Sequence, residues 1–144
     1  MKENKMEKTK TSGVWLKSLA VWLVFIPCAV LNGGLREKVL PLLMGREAAL
    51  PVSGVLLCVL ILAVTWLLLP WIGKQRRSTF LRIGGMWCIL TVSFEILLGL
   101  SGGSSIREIG AAYNITTGNL WLAVVVCTGM APYWVASMRK LFVR

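Results

Sequence analysis

Glu95 is the carboxylate that this sequence carries into a long apolar stretch, the run Phe80–Leu100. A carboxylate in hydrocarbon costs several kcal/mol unless it is paired, hydrated or protonated, and such residues usually face a bundle interior. At about 1.5 Å per helical residue Glu95 lies about 22 Å beyond Phe80, toward the far end of its stretch. It belongs to a stripe. Gly84, Cys88, Thr91, Glu95, Gly99 and Gly102 follow at spacings of three and four, giving one small and polar helix face. The opposite face, Met86, Ile89, Leu90, Phe94, Leu97 and Leu98, suits lipid or larger side chains.

Two other stretches offer partners. Cys28, Asn32 and Arg36 recur every fourth residue, so Asn32 and Arg36 share a face. The spacing predicts an Arg36 guanidinium reaching Glu95, with the Asn32 amide between them. Asn114, Gly118, Trp121, Val125, Thr128 and Pro132 form a third face, and Tyr113 adjoins it. Glu37 and the Arg107-Glu108 pair lie close by in sequence. Asn32, Arg36, Glu37, Glu95, Arg107, Glu108, Tyr113, Asn114 and Trp121 are therefore the candidate site. Two roles are open to it: a polar pocket for a solute, or a buried Arg–Glu pair that holds helices in register.

Other chemistries lack their parts. The chain has no histidine and no aspartate. Haem ligation by histidine, histidine-based zinc sites, Ser-His-Asp catalysis and aspartate-based phosphoryl transfer each miss a group, and no metal or cofactor is expected. Cys28, Cys58, Cys88 and Cys127 fall one per apolar stretch without a C-x-x-C, which reads as packing rather than dithiol chemistry.

The elements that must position these residues follow from hydropathy. Of the 144 residues 56% are hydrophobic, and the mean hydropathy is +0.72. A hydrocarbon core about 30 Å thick needs about 20 apolar residues in a helix. Residues 14–35, 50–72, 80–100 and 118–137 qualify, so the expected fold is an all-α membrane protein, a single domain over residues 1–144 built as a four-transmembrane-helix bundle. A soluble bundle would need a polar face on every helix, and Val55–Trp71 has none. Cleavage of the first stretch as a signal peptide is disfavoured, because Pro27 and Cys28 stand where small residues are wanted before a cut.

The net charge is +10, and its placement argues against nucleic acid. Lys2, Lys5, Lys8, Lys10 and Lys17, then Lys74, Arg76, Arg77 and Arg82, then Arg139, Lys140 and Arg144 all fall on one side of the expected topology. Cytoplasmic loops carry the excess of Lys and Arg, so both termini, including the basic tail 1–13, are expected inside against anionic lipid headgroups. The loops with Arg36-Glu37-Lys38, Arg46-Glu47 and Arg107-Glu108 are expected outside. Ser105-Ile106-Arg107-Glu108 has capping-box spacing and predicts a short interfacial helix to about Tyr113. Val39–Leu50 is expected on the surface. Asn114-Ile115-Thr116 matches a glycosylation sequon, a short match beside the bilayer that carries little weight.

Leu31-Asn32-Gly33-Gly34 before Arg36-Glu37 is echoed by Leu100-Ser101-Gly102-Gly103 before Arg107-Glu108, and Pro70-Trp71 by Pro132-Tyr133-Trp134. The echo reads either as two parallel two-helix repeats or as the chance likeness of short apolar spans.

The run N-G-x-x-R-E (Asn32, Gly33, Arg36, Glu37), F-E (Phe94, Glu95) and Y-N-x-x-x-G-x-x-W (Tyr113, Asn114, Gly118, Trp121) resembles a family of small four-span bacterial inner-membrane proteins with no assigned activity. The resemblance runs from Leu31 onward and implies bacterial origin and four spans. Small multidrug transporters are similar in size but carry their essential carboxylate in the first span, where this chain has none. Fluoride channels carry a Thr/Phe-rich third-span signature that is missing here. The expected function is an outward-facing polar pocket that binds or passes a small polar or anionic solute, most simply as a homo-oligomer. The alternatives are a non-catalytic lipid-binding or interaction subunit, and an enzyme acting on lipid headgroups.

Overall fold

The computed structural model describes residues 2–143, with side chains described from Lys10 onward. The side chains of Lys2, Lys5 and Lys8 in the expected basic tail, and Arg144, therefore lie outside the described residues. Helices dominate: α1 Lys2–Lys38, α2 Leu40–Ile72, α3 Arg77–Ser101, α4 Ile106–Ala111 and α5 Trp121–Met138, with a 3-10 turn Ile115–Thr117 before α5. Four of them are long and apolar enough to cross a membrane. The all-α four-helix bundle expected from hydropathy is the observed architecture.

The helices outrun the apolar spans at several ends, because helical hydrogen bonding continues where charge begins. α2 is broken at Gly45, whose φ of 81° is left-handed backbone that favours glycine. Helix resumes at Arg46, so residues 46–50, expected on the surface, form the first turn of the second span's own helix. The segment before Gly45 exposes Leu42 and Leu43, at 85% and 74%.

Neighbour contacts run α1–α2, α2–α5 and α5–α3, and α1 meets α3 chiefly through side chains. The two hairpins thus lie side by side. Their sequence echo does not extend to local structure. Gly33 and Gly34 are interior to α1, whereas Gly102 ends α3 and Gly103 turns the chain at φ 85°.

Small residues set the closest approach, between α3 and α5. A Cβ added at Gly84 would stand 1.9 Å from the Gly129 carbonyl oxygen, and one at Gly129 would stand 2.5 Å from Cys88 Sγ. Between apolar helices in lipid, packing of this kind supplies much of the association. Large side chains then fill the remaining interior, with Phe80, Ile83, Trp87, Ala131 and Leu69 fully buried. Phe25 meets Trp87 edge to face at 5.0 Å.

Lys17, Arg77 and Arg139 gather at one end of the bundle, where the last described residues also lie. Proline and arginine solve one problem together there. Pro70 lacks the N–H that would bond the Trp66 carbonyl within α2. Arg139 Nη1 donates to that carbonyl while its guanidinium lies 5.1 Å from the Trp66 ring centroid. Lys17 does the same for Trp71, donating to its carbonyl at 3.1 Å with its ammonium 5.4 Å from the ring centroid. The chain end docks beside them. Gln75 N–H donates to the Leu141 carbonyl at 3.1 Å and Val143 N–H to the Gln75 carbonyl at 3.0 Å. Phe142 packs on Phe80 and Tyr133.

Two neighbouring glycines should respond oppositely to the same change. Gly84→Ala should lower stability by about 1–3 kcal/mol through overpacking against backbone. Gly85→Ala, with nothing within 4 Å of its Cβ, should be neutral or stabilising by up to about 1 kcal/mol from helix propensity. Thermal unfolding in one detergent checks both. Arg139→Ala should cost about 1 kcal/mol or less, the net worth of an exposed hydrogen bond. In a Pro70→Ala background, a backbone N–H at position 70 again serves the Trp66 carbonyl. The cost of Arg139→Ala should shrink there, and equal costs in both backgrounds would show that the link is not made.

Candidate functional site

The stripe on α3 turns inward from Gly84 to Gly99 as its spacing predicts, while Gly102 is exposed, and its members meet α5, α1 and the α3–α5 connection in turn. Gly84 meets α5, and Cys88 Sγ donates to the Val125 carbonyl at 3.3 Å. Thr91 Oγ1 accepts from Trp22 Nε1 of α1 at 3.0 Å. Glu95 Oε2 accepts from the Tyr113 hydroxyl at 2.7 Å. Gly99 makes room for Ile109 of α4, whose Cδ1 would be 2.6 Å from an added Cβ. The α5 face also turns inward, with Thr128 and Pro132 buried.

Around Glu95 the neighbours are aromatic. One turn below, Trp22 covers Thr91 and meets Phe94 edge to face at 6.2 Å. The Trp121 indole lies against both Glu95 and Tyr113. Its N–H is buried yet reaches no partner in hydrogen-bond geometry. Oε1 of Glu95 accepts no hydrogen bond from the described residues. The carboxylate remains half-buried. Burial, then the bond to Glu95, pushes the Tyr113 hydroxyl above its ordinary range, which keeps it a protonated donor at neutral pH.

The expected Arg36–Glu95 contact is not formed, and register explains why. Trp22 bonds Thr91, and Trp87 Nε1 donates to the Ser18 carbonyl at 2.9 Å, both pairs 69 positions apart. That offset sets Ile26 level with Glu95 and leaves Arg36 about 15 Å farther along α1, at about 1.5 Å per residue. Arg36 instead lies 3.8 Å from Glu37, with side chains 41% and 72% exposed. Such a surface pair contributes little. Asn32 is buried and turned to α2, where its Nδ2 donates to the Ser53 carbonyl at 3.0 Å. Its Oδ1 is buried without a partner.

The remaining candidates shape the connection between α3 and α5. Ser105 and Glu108 form the capping box their spacing predicts: Ser105 N–H donates to Glu108 Oε2 at 2.7 Å, and Glu108 N–H donates to Ser105 Oγ at 3.3 Å. Arg107 is exposed beside them. Asn114 caps the 3-10 turn, its Oδ1 accepting from Thr116 N–H at 3.1 Å and Thr116 Oγ1 at 2.6 Å. Asn114 is therefore a turn residue and lends nothing to Glu95. Trp22 belongs to the site although sequence reasoning passed over it. Its signal would have been an indole on α1, whose N–H must find an acceptor in an apolar layer.

Among the described residues, the sole ion pair is Arg36–Glu37. No group of three or more metal-ligating side chains occurs among them. A shallow apolar groove of about 400 Å³, lined by Pro51, Val52, Val55, Leu56 and Val59, lies on α2 away from Glu95. Scans of protein-family models, of curated proteins and of solved structures return no match to this chain.

The capping box has a pH dependence with a defined sign. Hydrogen bonds from the Ser105 backbone and side chain hold the Glu108 carboxyl below its ordinary range. A depressed folded-state value means that the stabilisation is present above the ordinary carboxylate range and is lost as pH falls through the depressed value. Protection of the Ser105 amide, measured by mass spectrometry in detergent and corrected for the intrinsic pH dependence of exchange, should fall over that interval, and in Glu108→Gln it should no longer vary with pH there.

Proposed function

We propose that the protein is a bacterial inner-membrane protein with both termini in the cytoplasm, and that it binds a small polar solute at Glu95 from the outer side. The basic residues gathered at the terminal end support the orientation, since cytoplasmic segments carry the excess of Lys and Arg. They would rest against anionic headgroups. The carrying observation is the carboxylate itself: Glu95 is half-buried in a spanning helix, accepts a single hydrogen bond, and has no cation beside it among the described residues. A group left in that condition calls for a proton, water or a ligand. Four helices make a thin bundle, with a small buried share of each span, so passage of a solute would need a homo-oligomer, whereas binding would not.

A second reading draws on the Tyr113 bond. The bond ties the α3–α5 connection to the bundle, and the same contact serves a subunit whose polar cluster is purely structural. The charge separates the two. Glu95→Gln keeps an acceptor for Tyr113 and removes the ionisable group. The wild type, reconstituted in liposomes, should show a saturable change in tryptophan emission with at least one small solute added outside. Glu95→Gln should lose that response while keeping its melting temperature. A variant that responds as wild type would exclude Glu95 as the binding group, and one that merely melts earlier would favour the structural role.

A further inference from the structure

We propose that the solute taken by Glu95 is a small organic monocation, an alkylammonium or quaternary ammonium, which exchanges there with a proton. The proposal rests on the reading of Glu95 as a binding site and names its ligand class. The chain carries sixteen lysines and arginines, yet among the described residues none pairs with Glu95. The register fixed by Trp22 and Trp87 keeps Arg36, the cation expected beside it, about 15 Å away along α1. Among the described residues, then, an ionised Glu95 has no counter-charge.

The surroundings select the kind of cation. Tyr113 donates to Oε2, and the Trp121 N–H lies beside the carboxylate without reaching hydrogen-bond geometry. The neighbours are aromatic: Trp121 and Tyr113 lie beside the carboxylate, and Trp22 bonds Thr91, one turn earlier on the same face. Aromatic faces attract a desolvated cation through the ring quadrupole, and cages of this composition suit alkylated ammonium groups. Hard metal ions fit poorly. Magnesium and calcium take six or more oxygens, whereas this site offers one carboxylate, one phenol and a Thr91 hydroxyl already engaged by Trp22. An anion would meet the carboxylate with no guanidinium or ammonium to offset it.

The groups facing Glu95 limit what else could titrate. α1 presents Trp22, α5 presents Trp121, and the α3–α5 connection presents Tyr113, which holds its proton at neutral pH. The proton that a cation displaces is therefore that of Glu95. Protonation and cation binding exclude each other at one oxygen pair, so apparent affinity should fall by up to about tenfold per pH unit once the carboxyl is mostly protonated.

Equilibrium dialysis with radiolabelled tetraethylammonium, on the full-length protein in detergent from pH 5 to pH 9, tests this. Saturable binding at high pH that declines toward low pH is expected, with glutamate and inorganic phosphate failing to compete. Glu95→Gln should bind at least about tenfold more weakly, as loss of a close counter-charge requires. Tyr113→Phe keeps a ring and frees the carboxylate, so it should bind as well as wild type or better. Tyr113→Leu should bind about three- to tenfold more weakly, from loss of an aromatic face. Melting temperatures verify folding, and Tyr113→Phe against Tyr113→Leu keeps the test decisive if Glu95→Gln does not fold. Binding that ignores pH, or survives in folded Glu95→Gln, overturns the proposal. Glu95-dependent binding of glutamate, phosphate or a neutral solute without tetraethylammonium overturns the ligand class and leaves the binding site standing. No Glu95-dependent binding of any of these probes overturns both.

Discussion

An apolar layer supplies no hydrogen bonds, so the polar atoms that the spanning helices carry are driven to partners inside the protein, and among the described residues Asn32 Oδ1 and Trp121 Nε1 are the buried exceptions. Much of the packing follows from how that requirement is met. Thr65 and Thr128 turn their hydroxyls to the carbonyls of Ile61 and Val124 one turn earlier, at 2.7 and 2.8 Å. The indoles of Trp22 and Trp87 cannot reach a carbonyl of their own helix, and each crosses between α1 and α3 to find an acceptor. These two bonds set the relative height of α1 and α3. Asn32 sets α1 against α2 in the same way through Ser53, and the Cys88 thiol bonds α5. Polar side chains act here less as sources of stability, since such bonds average about 1 kcal/mol or less between membrane helices, than as markers of register.

The two ends of the bundle meet the requirement differently. Where the termini lie, a carbonyl freed by Pro70 is taken up by Arg139, Lys17 covers Trp71, and the final residues pair with Gln75. Charged groups, aromatic rings and backbone interlock there, and that end is closed. At the opposite end the α3–α5 connection is held by Tyr113 on Glu95 and Ile109 against Gly99, with its own turns internally capped. Few contacts cross from it to the bundle. Rearrangement costs least where few groups must move together, and this is the end that carries Glu95.

How much of this could be read beforehand depended on whether a feature is local to one helix. Spans, the inward stripe on α3 and the Ser105–Glu108 cap were legible, since spacing along a helix fixes which residues share a face. The Arg36–Glu95 pairing was not, because spacing says nothing about how far one helix is shifted past another. That shift is set by Trp22 and Trp87, large side chains whose acceptors lie on a different element. The echo of Arg36-Glu37 in Arg107-Glu108, left open between a repeat and a chance likeness, does not extend to local structure. One pair ends a long helix and stays on the surface, while in the other Glu108 is consumed by a cap. Arg139 was legible in principle, since Pro70 announces a free carbonyl four residues earlier.

Moving Arg36 away from Glu95 changes the kind of site this is. An Arg–Glu pair with an amide bridge is neutral overall and can be read as a clamp between helices. A carboxylate among indoles and a phenol has an electrostatic sign. If accepting the Tyr113 hydroxyl were its whole task, a glutamine at 95 would serve, at far lower desolvation cost than an ionised group. The acid differs from the amide in being able to gain and lose charge, and in presenting two acceptor oxygens where the amide presents one and an NH2 donor. In a chain of net charge +10, the residue at that depth is negative or protonated rather than positive. The proposed exchange between proton and cation would draw on the first of these capacities, and the Tyr113 bond on the second.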